Sequence, residues 1–326
     1  MAEAMIDVQN LTKDYGTYLA LRDVSFKVEK GEVLGFLGPN GAGKTTTMRI
    51  LTGYMPPTGG TARVGGYDVF ADSLEVRKRI GYLPETVPLY TEMSVWDYLD
   101  FAARLRGVSN RDDAIERAMD LTNIADRADM LIGKLSKGYR QRVGLAQAIV
   151  HEPEVLILDE PTIGLDPKQI IEVRNLIKSL AGEHTVILST HILPEVSQVC
   201  TRVLIINQGK IVAEDTPDRL SARVRGAEHV FLQVAQPAAE VPTELEKIKG
   251  VLGVKAKEPG AYEIETNLGA DHRAEIAAMA VQRGWGVLEL RPVGLSLEEI
   301  FLELTTTEED NGSAKDAMAE EELEAA

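Results

Sequence analysis

"GPNGAGKT", residues 38–45, decides how the rest of the chain is read. It fits the pattern G-x-x-x-x-G-K-[ST] and lies between an apolar run, "VLGFLG" (33–38), and the helical run "KTTTMRILTG" that begins at Lys44. Glycines at 38, 41 and 43 let the backbone curl so that successive N–H groups face a chain of phosphates, and the helix that follows presents its positive end. Lys44 then reaches the outer phosphates, and the Thr45 hydroxyl is placed to bind Mg²⁺. The alternative, a glycine-rich turn between strand and helix, does not explain why pattern and context agree.

Such a loop needs a carboxylate to hold the metal, at the end of a neighbouring buried strand. "VLILDEPT" (155–162) supplies it: Asp159 is the expected Mg²⁺ partner through water, and Glu160 is positioned to take a proton from an attacking water. His191 follows another apolar run, "TVILST" (185–190), at the sheet edge where ligand-facing residues gather. On its own it reads equally as a polar sensor or as a structural or surface histidine.

Outward from these runs, residues 5–225 alternate β-rich and helical segments, the pattern of a layered α/β domain. The three nearly continuous apolar runs suit central strands covered on both faces, whereas Val24, Phe26 and Val28 alternate with polar residues as in a half-buried strand. Between about 92 and 132 helices take over, starting at Ser94 with Asp97 in a capping-box-like arrangement; the helical insertion is bounded at about 86–135. "LIINQGKIVAED" reads as a hairpin and "TPDRLSARV" as a helix. Residues 229–304 then run strand (HVFLQV), helix (TELEKIKG), strand (VLGVKA), strand (AYEIET), helix (DHRAEIAAMAVQR), strand (GVLELR), helix (SLEEIFLEL), which predicts a ferredoxin-like α+β module. The expected domains are 1–226, 227–305 and an acidic tail, 306–326.

Composition narrows the class. The chain has 326 residues, is 44% hydrophobic and 26% charged, and carries a net charge of −16. Residues 305–326 hold eight Asp or Glu against one Lys, so that segment carries −7 of the total and reads as a solubilising disordered tail. The sign disfavours nucleic acid as the main ligand, because backbone phosphates want a basic face. No run approaches the roughly 18–20 apolar residues that span a bilayer, and "MAEAMIDVQN" has neither the basic flank nor the apolar core of a signal peptide. A cytoplasmic location is expected, in keeping with one cysteine, Cys200, read as a buried inert thiol.

One stretch resists this reading. "KLSKGYRQRVGLAQ" (134–147) looks like a serine-capped helix start, yet its first turns carry Lys137, Arg140 and Arg142. Exposed cations at the positive end of a helix dipole cost about 0.3–1 kcal/mol each.

The order phosphate loop, helical insertion, "LSKGYRQR", "LILDEPTIGLD", "STH" resembles the ATP-binding-cassette (ABC) ATPases over about residues 5–225. The branch it is most similar to includes gliding-motility and multidrug export subunits, whose small C-terminal domain ends in a phrase like "SLEEIFLELT". The resemblance implies a P-loop NTPase core that binds ATP and Mg²⁺. It makes Gly38, Pro39, Asn40, Gly41, Ala42, Gly43, Lys44, Thr45 and Thr46 the Walker A loop, and 155–160 Walker B with Glu160 as catalytic base. It implies adenine stacking for Tyr15, a switch contact to the γ-phosphate for His191, and a D-loop contact with an opposing subunit for Asp166. Residues 135–139, "LSKGY", take the place of the signature usually written LSGGQ; they retain Ser136 and Gly138 as phosphate-binding groups and carry Lys137 and Tyr139 in place of glycine and glutamine. Glu85, in "GYLPETVPLY", stands where the family has the Q-loop glutamine and is expected to sense Mg²⁺ in its stead.

The resemblance also implies partners. Two subunits pair head to tail, the signature of one closing over ATP held by the other, and a separate integral membrane permease supplies the pathway, with export favoured. This resolves the charge puzzle, because cations at the helix start become favourable once a triphosphate arrives from across the interface. "VPLYTEMSVWDYLDF" (87–101) is the expected docking surface for the permease. A soluble mechanical ATPase acting on ribosomes or DNA is the competing reading, disfavoured by a single uninterrupted cassette with no basic extension. A small-molecule P-loop kinase leaves 135–139 unexplained.

Overall fold

The computed structural model describes residues 4–217, 219–220, 228–267 and 271–293. The chain divides into two compact units, Met1–Asp215 and Thr216–Ala326.

The first unit holds strands β1 (Ala4–Asp14), β2 (Leu19–Glu29), β3 (Val33–Leu37), β4 (Gly59–Val64), β5 (Tyr67–Asp68), β6 (Ile80–Leu83), β7 (Val155–Asp159), β8 (Thr185–Thr190), β9 (Arg202–Asn207) and β10 (Lys210–Asp215). Its helices are α1 (Lys44–Leu51), α2 (Ser73–Arg79), α3 (Val95–Leu105), α4 (Arg111–Leu121), α5 (Lys137–Ile149), α6 (Pro167–Leu180) and α7 (Leu193–Val199). The central sheet has the order β10-β9-β3-β8-β7-β6. Its neighbours from β9 to β6 are parallel, and only β10 runs antiparallel, on β9. All residues of β3, β7 and β8 are buried, as parallel strands covered on both faces require.

Register then positions the chemistry. Leu37 pairs with Thr190 and Asp159 with Ser189, so β3, β8 and β7 end side by side. The phosphate loop leaves the first, His191 the second and Glu160 the third. A smaller antiparallel sheet, β2-β1-β4-β5, shares a core with the central one, and the Phe26 and Phe36 rings meet at 5.6 Å between them. Val24, Phe26 and Val28 point into that core. The β9–β10 hairpin turns at Gln208 and Gly209, both at positive φ (46° and 79°), the two-residue turn whose twist suits flanking strands.

The helical insertion starts as expected: the Asp97 N–H donates to Ser94 Oγ at 3.1 Å, capping α3. Helices α3, α4 and α5 pack on one another, with 3₁₀ turns at Ala125–Arg127 and Ile132–Lys134 leading into α5. No helix among the described residues is long and apolar enough to cross a membrane.

The second unit contains strands β11 (Glu228–Val234), β12 (Val251–Glu258), β13 (Ala261–Thr266) and β14 (Val287–Val293), all neighbours antiparallel in the order β12-β13-β11-β14. Val230, Leu232 and Val234 alternate into a core with Ile264, Ile276 and Trp285. The helix expected at "TELEKIKG" instead spans Val241–Leu245. Pro242 pre-sets its first turn, and Val241 and Leu245 bury one face. The chain then turns, with Gly250 at φ +103°. Helix Arg273–Gln282 follows the prediction. Most of "TPDRLSARV", the helix "SLEEIFLEL" and the acidic tail lie outside the described residues.

Candidate active site

The loop from Gly38 to Gly43 leaves β3 and enters α1 without a side-chain cap, and the first turn of α1 carries no acid. Gly43 has φ +109°, and a Cβ there would lie 2.7 Å from Leu21 Cδ2 and 2.8 Å from the Ala20 carbonyl oxygen. Glycine is therefore required at this position by backbone conformation and by space. Lys44 is buried (6% exposed), donating to the carbonyl oxygens of Gly38 at 2.7 Å and Pro39 at 3.2 Å. Its Nζ lies 3.7 Å from Glu160 Oε1. Burial holds the Lys44 pKa below the usual lysine range, with the Glu160 and Asp159 charges opposing.

Glu160 occupies left-handed backbone space (φ +50°), a costly conformation away from glycine, and its N–H donates to the Ser189 carbonyl at 2.8 Å. That bond ties the start of the β7–α6 connection to β8. His191, 44% exposed at its side chain, places Nδ1 2.9 Å from both Glu160 carboxylate oxygens. Between a lysine and a histidine, Glu160 is held by both sides of the cleft.

Asp159 is fully buried, and neither carboxylate oxygen makes a hydrogen bond among the described residues. Burial raises its pKa, with the Ser189 and Thr45 hydroxyls pulling the other way. A buried carboxylate flanked by the Thr45 and Ser189 hydroxyls, with no ion pair among the described residues, suits a hard divalent cation.

A cavity of about 630 Å³ opens above these groups, walled by Tyr18, Asn40, Lys44, Glu85, Glu160 and His191 among others. Its size is that of a small-molecule site. Pro39, Gly41, Gly43, Thr45 and Thr46 also line it. Gly38 and Ala42 support the loop from beneath: a Cβ on Gly38 would press into Ile206 and the Ala42 methyl.

Tyr15 lies next to this wall without lining it. The aromatic on the cavity wall is Tyr18, 59% exposed, while Tyr15 stacks behind it at 5.1 Å and 22°. The Tyr15 hydroxyl reaches Met55 Sδ at 3.2 Å, and Lys13 lies 5.4 Å from its ring centroid. The turn at Gly16 (φ +81°) separates the two rings, and the sequence signal for it was the "YGTY" spacing.

The signature residues lie apart from this cavity's wall. Ser136 caps α5, accepting from the Tyr139 N–H at 3.4 Å, and Gly138 is buried beneath the Gln169 amide. Asp166 caps α6, accepting from the Gln169 N–H at 3.0 Å. Of the puzzling cations, Arg142 is ion-paired with Glu172 and lies 5.6 Å from the Tyr139 ring centroid. Lys137 and Arg140 have no ion pair among the described residues and line a second groove, of about 420 Å³, with Glu85.

A parallel α/β sheet with a glycine-rich phosphate loop, a buried carboxylate and an adjacent glutamate at one end defines a P-loop ATPase. Residues 21–163 match the family model described as ABC transporter. The chain is 34% identical over 302 residues to the bacitracin transport ATP-binding protein of Bacillus licheniformis, covering 92% of this chain and 97% of that one. It is 36% identical over 325 residues to a daunorubicin resistance ATP-binding protein of Streptomyces coeruleorubidus, covering 96% and 98%. Among solved structures, an ATP-binding subunit of an ABC transporter aligns with a TM-score of 0.62 at 30% identity, over 66% of this chain and 91% of that one. A dimeric ATP-binding cassette described as bound to ADP and Pi shares the fold, with a TM-score of 0.61 at 24% identity over 65% and 98%.

The chain belongs to the ABC transporter ATP-binding proteins, and among them to the export and drug-resistance type. It binds ATP and hydrolyses it to power transport.

Proposed function

We infer that this subunit binds ATP through Gly38–Thr46 and drives a separate membrane permease in the export direction by closing head to tail on a second copy of itself. The observation that carries this reading is the cluster of Lys44, Glu160 and His191 facing the phosphate loop, with Asp159 orphaned beneath it. Glu160 takes the proton of the attacking water, and His191, bonded to it, keeps the carboxylate aimed into the cavity. Lys44 neutralises charge on the outer phosphates, and Tyr18, backed by Tyr15, offers the base a π-face.

Thr45 and Asp159 would hold Mg²⁺, and Glu85, on the wall of the same cavity as Thr45, would sense it. The bound metal would neutralise charge developing on the transferred phosphoryl group. In the closed dimer Ser136 and Gly138 would meet the partner's ATP, with Asp166 touching the opposing subunit. Replacing Glu160 with Gln tests the reading: with ATP and Mg²⁺ the variant should elute as a dimer on size exclusion, and a strictly monomeric variant would sink it.

For the permease, two features support docking at the helical insertion. Tyr90 makes edge contacts with Tyr98 (6.0 Å) and Phe101 (5.7 Å), leaving Tyr90 and Phe101 exposed. The second is a pocket of about 310 Å³ bordered by Tyr54, Arg77, Tyr82 and, from the C-terminal end of α3, Arg106; its two guanidinium groups donate to backbone carbonyls and have no carboxylate partner among the described residues. Burial and the Arg77 charge lower the Arg106 pKa, so an acidic side chain from a cytoplasmic helix would be welcome there. Co-purification with a polytopic membrane protein tests this partner, and with it the location on the cytoplasmic face of the membrane. Nucleic acid is not a partner in this reading.

We read the chain as an ATPase domain (1–226), a ferredoxin-like domain (227–305) and an acidic tail (306–326). The strand order β12-β13-β11-β14 with two helices in the crossovers supports the middle assignment.

A further inference from the structure

The four most exposed large apolar side chains described in the first unit gather on one face. Tyr54, Phe70, Leu74 and Leu105 are each 67–75% exposed, and the next, Tyr18, belongs to the nucleotide cavity. Hydrogen bonds tie together the three segments that carry them. The Arg77 guanidinium donates to the Gly53 carbonyl at 3.1 Å, joining α2 to the chain after α1, and the Arg106 guanidinium donates to the Arg77 carbonyl, joining the end of α3 to α2. Phe70 stands at a built turn: Asp68 Oδ1 accepts from the Phe70 N–H at 2.9 Å and the Ala71 N–H at 3.0 Å, and the Asp72 N–H donates to the Asp68 carbonyl at 3.0 Å. The backbone thus holds an aromatic ring out in water. On α2, Leu74, Arg77 and Lys78 share one exposed face, with Val76 buried behind them.

Positive charge gathers on the same face. Residues 70–79 and 100–106 hold five cations, Arg77, Lys78, Arg79, Arg104 and Arg106, against three carboxylates, Asp72, Glu75 and Asp100, in a chain whose net charge is −16. Among the described residues, Lys78 and Arg104 pair with carboxylates of their own helices, Glu75 and Asp100, at exposed sites where such pairs hold weakly. Arg49 lies 5.9 Å from the Tyr54 ring centroid and adds a further cation. Exposed apolar patches of this kind mark contact surfaces. Aromatic and leucine side chains interleaved with lysine and arginine suit lipid headgroups, because the apolar tips enter the acyl boundary while the cations meet phosphates. A protein knob would need a recess, and Phe70, Leu74 and Leu105 stand outside the 310 Å³ pocket rather than lining it.

We propose that this face of the ATPase binds an anionic lipid surface directly, with Phe70, Leu74 and Leu105 entering the headgroup layer and Lys78 and Arg104 meeting its phosphates. The pocket between them stays free for the permease's acidic side chain. The proposal rests on the membrane-face location given above and extends it: the subunit touches lipid itself as well as the permease.

Sedimentation of the purified full-length chain with vesicles of phosphatidylcholine and phosphatidylglycerol, or of phosphatidylcholine alone, tests it. The chain should pellet with the anionic vesicles, less so as salt rises, and stay in solution with the neutral ones. Phe70→Ser should weaken binding about tenfold, and Lys78→Gln/Arg104→Gln about fivefold for each charge removed. Basal ATPase rate and ATP affinity should keep their wild-type values in these variants, since none of the three residues lines the nucleotide cavity. In Phe70→Trp the added emission should shift to the blue with anionic vesicles, which attraction by charge alone would not produce. A chain that ignores anionic vesicles, or binds them equally well as Phe70→Ser and as Lys78→Gln/Arg104→Gln, overturns the proposal. So does a chain whose variants lose a co-purifying polytopic membrane protein while no form binds vesicles, which would make this face a protein contact. Vesicle binding by a chain that co-purifies with no membrane protein would uphold the lipid contact and overturn the permease reading, so the two fail separately.

Discussion

Glu160 and His191 are bonded to each other, at 2.9 Å from Nδ1 to each carboxylate oxygen, although they leave different strands. The bond spans β7 and β8, whose ends are brought level by the pairing of Asp159 with Ser189. Replacing His191 with Ala should leave ATP affinity within a few-fold and lower kcat by about 10²–10⁴, the range for losing acid–base assistance. Isothermal titration with ATP and a phosphate-release assay separate the two effects; equal losses in both would contradict a role confined to the chemical step.

Lys44 bridges the loop carbonyls and Glu160, so its removal should be felt before chemistry begins. Lys44→Ala is expected to weaken ATP binding itself, and an unchanged dissociation constant by calorimetry would count against the phosphate-loop assignment.

The two stacked tyrosines differ in what they reach. Stacking a base on an aromatic ring is worth about 1–3 kcal/mol by alanine substitution, which is roughly 5–150-fold in affinity. Tyr18→Ala should therefore raise the ATP dissociation constant by an amount in that range. Tyr15→Ala, which removes only the backing ring, should cost less. A titration series in which Tyr15→Ala is the more damaging of the two would restore the adenine contact to Tyr15.

His151 makes acid stability testable. Its Nε2 donates to the Ile80 carbonyl at 3.1 Å, Nδ1 is buried without a partner, and burial, with the Arg106 charge second, pushes its pKa down to about 4. In the unfolded chain the value returns to about 6.5. Between these values the unfolded state binds a proton that the folded state refuses, so stability falls as pH drops from about 6.5 toward 4, by at most about 1.4 kcal/mol per pH unit from this group. Urea midpoints measured across that window should slope less in His151→Gln; an identical slope would remove His151 from the account.

Much of this could be read before any coordinates, for a physical reason. A strand covered on both faces has no polar side, so β3, β7 and β8 announced themselves as unbroken apolar runs, and the loop motif needed only its two flanks. Local capping was legible too, since Ser94 and Asp97 lie within one turn. What stayed hidden was long-range. Nothing local says that Leu37 will pair with Thr190, which is what sets His191 beside Glu160. A motif position does not reveal which way the chain turns at Gly16, and that turn is what puts Tyr18 on the cavity wall in front of Tyr15. The misjudged helix at "TELEKIKG" is a boundary matter: Pro242 and Val241 open it earlier, and the turn at Gly250 prevents a longer run.

The side-by-side ends of β3, β8 and β7 give the nucleotide a second role, as a removable cross-link. Those strands lie far apart along the chain and join only through separate crossovers, so a ligand touching Lys44, Glu160 and His191 together ties three distant segments of the sheet. Its binding free energy adds to folding stability by mass action, about 2.7 kcal/mol at a hundredfold excess over the dissociation constant. Emptying the site after each turnover would then loosen the centre of the sheet as well as the interface, and the ADP-free subunit would be the form most exposed to heat and proteases.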